Sequence, residues 1–134
     1  MISWSYVEPL HDDLSVGEFE ADYGFLLPEE YKSLVYLYNS GYPSCNSFLL
    51  PTGEWCQMKH LYSFNREDAE NMWDFNSAEN IGAGIIAFAD DSFGNQIAFR
   101  MADNAIVFAD YDSDEITKIA DSFSDFINQL TDQE

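Results

Sequence analysis

The segment from Ile85 to Met101 constrains the fold most. It reads Ile-Ile-Ala-Phe-Ala, then Asp-Asp-Ser-Phe-Gly-Asn, then Gln-Ile-Ala-Phe-Arg-Met. Two apolar runs rich in isoleucine and phenylalanine have the composition of strands, and the polar centre has the chemistry of a turn. Gly94 takes a positive φ without a Cβ clash, and Asn95 tolerates one. The segment therefore predicts a β-hairpin in the middle of a sheet. A further apolar run at 105–109 follows a turn at Asp103-Asn104. Three consecutive strands with short connections make an antiparallel meander.

Helical spacing flanks this sheet on both sides. Val16, Phe19 and Tyr23 predict a first helix, with Ser15 and Glu18 as a capping box and Gly24 as its stop. Pro28, Glu29 and Glu30 open a second, because proline suits the first turn and acids suit the positive end of the dipole. Tyr31, Leu34, Val35 and Tyr38 give it an apolar face, and Asn39-Ser40-Gly41 stops it. Trp4 and Tyr6 alternate as a short strand does. Residues 47–50 and 55–64 predict strands split by a turn at Pro51-Thr52-Gly53. Ala69, Met72, Trp73 and Phe75 predict a short helix over 66–75, and 76–84 reads as a polar surface loop. An apolar stripe from Ile116 through Ile119, Phe123 and Phe126 to Leu130 predicts a long closing helix over 114–130. Asp112, Asp114 and Glu115 would sit at its positive end. The expected fold is α+β: an antiparallel or mixed central sheet with helices packed against it, as a single domain over residues 1–134.

Charge is the compositional outlier. The 25 acidic against 5 basic residues give a formal net charge of −20. Such a surface repels phosphate backbones and anionic lipid, so neither nucleic acid nor a membrane is an expected partner. It attracts cationic proteins and speeds their encounter. Hydrophobic residues at 46% suffice for a packed core despite the charge. The N-terminus lacks the basic and apolar regions of a signal peptide, and no apolar run approaches the ~20 residues of a membrane span. A cytoplasmic location is therefore expected.

The residues that could carry chemistry do not assemble into a recognised motif. Asp110, Asp112 and Asp114 match positions 1, 3 and 5 of a calcium loop, but Glu115 occupies the position that needs glycine. His11 and His60 lack metal-ligand spacing, and Cys45 and Cys56 lack the C-x-x-C pattern. Along one strand, Cys56 and His60 would stand ~13 Å apart, too far for a nucleophile and its base. The expectation is a binder rather than an enzyme, with no cofactor and no metal.

Several segments together resemble one family. Leu27-Pro28-x-x-Tyr31, Asn39-x-Gly41, Phe88-Ala89-x-x-Ser92-x-Gly94-Asn95-x-Ile97, Val107-Phe108 and Ile119-Ala120-x-Ser122-Phe123-x-x-Phe126-Ile127 follow the order found in the SUKH superfamily. That group is related to a yeast cell-wall assembly regulator, and the likeness runs from about Val16 to Leu130. Ser40 stands where many members carry a second glycine, and Arg100-Met101 where many carry an acid. The resemblance implies an α+β fold without catalytic residues. It also implies a bacterial immunity protein, which binds and neutralises a cognate polymorphic toxin, often a nuclease. A nuclease toxin holds phosphate in a cationic cleft, so an acidic inhibitor is complementary to it. Asp90, Asp91, Asp110, Asp112 and Asp114, as exposed acids near sheet turns, are the candidate partner-binding residues. A protein-binding scaffold or regulatory domain of the same fold, and an inhibitor that mimics DNA, are the alternatives.

Overall fold

A computed structural model describes residues 2–132. The chain runs β1 (Trp4–Ser5), α1 (Ser15–Tyr23), α2 (Glu29–Tyr38), β2 (Tyr42–Pro43), β3 (Ser47–Leu49), β4 (Trp55–Gln57) and β5 (His60–Leu61). It continues through α3 (Ala78–Gly82), β6 (Ile85–Asp90), β7 (Gln96–Arg100), β8 (Ile106–Ala109), β9 (Ile116–Ala120) and α4 (Phe123–Gln129). The fold is α+β. A five-stranded antiparallel sheet, β5-β6-β7-β8-β9, forms its centre, and two-stranded sheets β1-β2 and β3-β4 lie beside it.

The predicted hairpin is β6-β7, with Gly94 at φ 88° in its turn. Ile86, Phe99 and Ile106 pair across three strands and share one face of the sheet. The helices cover that face through aromatic contacts. Tyr31 of α2 lies 5.0 Å from the Phe99 ring, and Phe123 of α4 lies 5.6 Å from Phe88. Phe88 itself stacks on Phe99 at 4.6 Å. β6 is buried along all six of its residues, as a strand in the middle of the molecule must be.

The second helix starts and stops as its sequence predicts, and its end explains the Asn39-x-Gly41 motif. The Asn39 side chain accepts from Phe64 N at 2.9 Å and donates to Glu8 O and Ser63 Oγ, bracing three segments. Gly41 has no room for a side chain, because a Cβ there would lie 2.8 Å from Tyr38 O and 3.2 Å from the Trp4 ring. Ser40 adopts φ 67°, the left-handed conformation that glycine enters without a Cβ penalty.

Several expectations fail. Ser15 is the first residue of α1 rather than its cap; Asp12 supplies the acceptors, taking Leu14 N on Oδ1 and Ser15 N on its carbonyl. Residues 55–64 are not one strand. After β4 the chain leaves β3 at Met58, which is buried, and β5 joins the central sheet instead. Residues 66–75 form turns rather than a helix. Asn71 accepts from Asp74 N and donates to the carbonyls of Arg66 and Asp68, so a side chain takes the bonds a helix would make. The connector 76–84 is partly helical, as α3, and Asn76 at its start is buried.

The long closing helix over 114–130 is also replaced. Residues 116–120 are a strand, β9, and only Phe123–Gln129 is helical. Asp112, Asp114 and Glu115 therefore lie in the β8-β9 turn and not at a helix start. Ser122 Oγ accepts from Asp125 N at 3.1 Å and caps the short helix in their place.

Candidate functional site

Two hairpin turns meet at one end of the sheet. In the β6-β7 turn, Asp91 accepts from Phe93 N, Asn95 N and Asn95 Nδ2 at 2.8–2.9 Å. In the β8-β9 turn, Asp110 Oδ1 accepts from Asp112 N and Ser113 N, and Asp114 takes φ 59°. Asn95 Oδ1 then accepts from Tyr111 N at 2.8 Å and ties one turn to the other. The β3-β4 hairpin lies alongside: Trp55, Phe93 and Asp110 line a shared hollow of about 250 Å³.

This end combines negative charge with exposed aromatic surface. Asp112, Asp114 and Glu115 are exposed and Asp110 is half-buried. Phe93 is 86% exposed, Tyr111 75% and Trp55 47%. An exposed ring in a well-bonded turn has no core to fill, and aromatic side chains on a rigid frame suit a protein interface.

The structure corrects the expectation that Asp90 and Asp91 are exposed. Both are buried, at 6% and 5% exposure. Asp91 is spent on building its turn. Asp90 belongs to a different site, where it clusters with His60 and Glu70.

That second site is a polar cluster which the sequence does not announce. His60 on β5 pairs with Asp90 on β6 in the ladder, and Glu70 arrives from the 66–75 turns. His60 Nε2 lies 2.8 Å from Glu70 Oε1 and 4.0 Å from Asp90 Oδ1. The His60 ring stacks on Tyr42 at 4.8 Å and meets Tyr62 edge-on at 6.2 Å. Lys59 Nζ is 3.3 Å from Glu70 Oε1. Burial pushes the Asp90 carboxyl up to about 7; the Glu70 charge adds to the rise and Lys59 opposes it. Burial works against ionising Glu70 too, but the His60 charge and the hydrogen bonds from His60 and Lys59 hold its carboxyl below the ordinary value. His60 and Glu70 line a pocket of about 480 Å³ with Tyr6, Glu8 and Tyr42. The helical reading of 66–75, the single strand read over 55–64 and the expectation that Asp90 is exposed together hid this site.

The remaining candidates stay separate. Cys45 and Cys56 are free thiols, and burial raises the Cys56 thiol to about 11. His11 pairs with Glu67 on the surface, far along the chain from His60. Among the described residues no helix is long and apolar enough to cross a membrane.

Comparison with known proteins identifies a family. The model of the SMI1 / KNR4 family (SUKH-1) matches residues 12–129. No curated protein matches the chain.

Proposed function

The chain belongs to the SMI1 / KNR4 family (SUKH-1), and from that premise we propose that it is an immunity protein. It binds a cognate polymorphic toxin in the cytoplasm and neutralises it without chemistry of its own. The toxin is a protein with a basic surface, a nuclease in the reading that fits the charge best. The contact face is the end of the sheet where the two turns meet. Asp110, Asp112 and Asp114 supply negative charge, and Phe93 and Tyr111 supply apolar area beside them. The observation that carries this reading is that pairing of exposed rings and acids on two turns bonded to each other. Asp91 contributes indirectly, by holding Phe93 and Asn95 in place. Asp90 lies outside the contact.

Charge governs the encounter and the rings govern how long the complex lasts. The test is association kinetics with inactive variants of candidate basic nuclease toxins from the same strain. The association rate should fall steeply as salt rises. Replacing Asp110, Asp112 and Asp114 together by Asn should slow association. Phe93→Ala with Tyr111→Ala should speed dissociation by at least about tenfold, on the scale of truncated anchor residues. Unchanged kinetics in both variants would remove this face from the interface.

A further inference from the structure

We propose that His60, Glu70 and Asp90 bind a single Zn²⁺ ion, on a site open to the pocket beside Tyr42. This inference is independent of the toxin contact, which lies on other residues.

The three donor atoms come from three separate segments and converge. One oxygen or nitrogen from each lies within 4.8 Å of the other two. The Nε2–Oε1 separation is 2.8 Å and the Nε2–Oδ1 separation is 4.0 Å. Zinc bonds of about 2.0–2.2 Å in a tetrahedron place donor atoms roughly 3.4 Å apart, a spacing these two distances bracket. Closing the site requires side-chain rotations that bring Asp90 Oδ1 toward His60 Nε2 and move Glu70 Oε1 slightly away from it. An imidazole with two carboxylates is a donor set for zinc rather than for calcium or magnesium, which prefer oxygen alone.

The second observation is an orphaned acceptor. Asp90 Oδ1 is buried and has no hydrogen-bond partner, and its side chain is 8% exposed. A buried polar atom without a partner is costly, and natural structures rarely leave one. His60 is equally enclosed, at 4% exposure, and its ring is held between Tyr42 and Tyr62. A cation between His60 and Asp90 would satisfy the oxygen and occupy the nitrogen that faces it. His60 and Glu70 open on the pocket, so a water or a donor from an incoming molecule would complete the fourth position.

Lys59 is the competitor. Its ammonium already sits on Glu70, but its side chain is 35% exposed and can swing into solvent when a metal takes the carboxylate. This makes an opposite-sign prediction available. Removing a ligand should weaken zinc binding, while removing the lysine should strengthen it.

The experiment is calorimetric titration of the chelator-treated full chain with Zn²⁺, in excess Mg²⁺ to saturate surface carboxylates. One ion per chain is expected. Asp90→Asn and Glu70→Gln should each weaken binding by at least about tenfold. Lys59→Gln should tighten it. Zinc should also raise the Tm of the wild-type chain, since a ligand that binds only the folded state stabilises it. Circular dichroism is the control for folding of each variant, and Glu70→Gln is the milder of the two because its side chain is 31% exposed. Absence of stoichiometric binding, or binding unaffected by both ligand substitutions, would overturn the proposal.

Discussion

A single asparagine finishes an edge of the sheet that no strand covers. β5 pairs with β6 only at Ala89 and Asp90, and Tyr62 N reaches Phe88 O just beyond. At Ala87 the Asn76 side chain takes over. Its Oδ1 accepts from Ala87 N at 2.7 Å, and its Nδ2 donates to Ala87 O at 2.9 Å and to Met72 O at 2.8 Å. Asn76→Ala should strand both backbone groups of Ala87 in the interior and cost roughly 2–4 kcal/mol, measured by urea unfolding. Nothing in the sequence around Asn76 marks it as buried, since asparagine next to serine is the usual chemistry of a loop. Asp103 is a surface counterpart that titration can read. The Arg100 guanidinium, with help from Ala105 N–H, lowers its carboxyl from 3.8 to about 2. Its contribution is therefore present above pH 3.8 and disappears as pH falls through about 2. Carboxyl NMR should follow that midpoint and should find it higher in Arg100→Gln.

At the scale of the element, legibility depended on whether local signals and tertiary partners agreed. The β6-β7 hairpin and α2 were readable because composition, turn chemistry and burial point the same way. α2 buries Tyr31 and Val35, both on its apolar face. The closing segment misled because its apolar residues fit a helical stripe through 116–130, although Ile116–Ala120 is strand. The signals against that stripe were local. Ile116-Thr117-Lys118-Ile119 is rich in β-branched residues, and Ser122 with Asp125 three positions on marks a new helix start. β9 earns its place by pairing with β8, a partner the sequence cannot display. Ser122→Ala should cost about 0.5–2 kcal/mol, with the loss appearing in α4, because it removes the acceptor for Asp125 N. Hydrogen exchange at Asp125 and Phe126 would register it. The 66–75 segment failed for the opposite reason: the Asn71 side chain bonds to the backbone and replaces a helix that apolar spacing favoured. That error carried into function, since the His60–Glu70–Asp90 cluster exists only with those turns in place.

For the molecule as a whole, a net charge of −20 on 134 residues implies self-repulsion in the compact state. The described ion pairs engage few of the acids, because the chain has only 5 lysines and arginines to offer. Added salt should therefore raise the Tm while it slows capture of a basic partner, two effects of opposite value from one cause. A Tm indifferent to salt would mean that the surface charges are too far apart to matter for folding. The family assignment and the α+β architecture were within reach of the sequence. The placement of the acids was not, because Asp90 and Asp91 are adjacent in the chain yet face different environments. The Asn95–Tyr111 bond carries a further consequence. Loops already fixed by their own carboxylates surrender little conformational entropy when a partner arrives. Cutting that bond by Asn95→Ala should leave the electrostatic capture rate intact and shorten the lifetime of the complex.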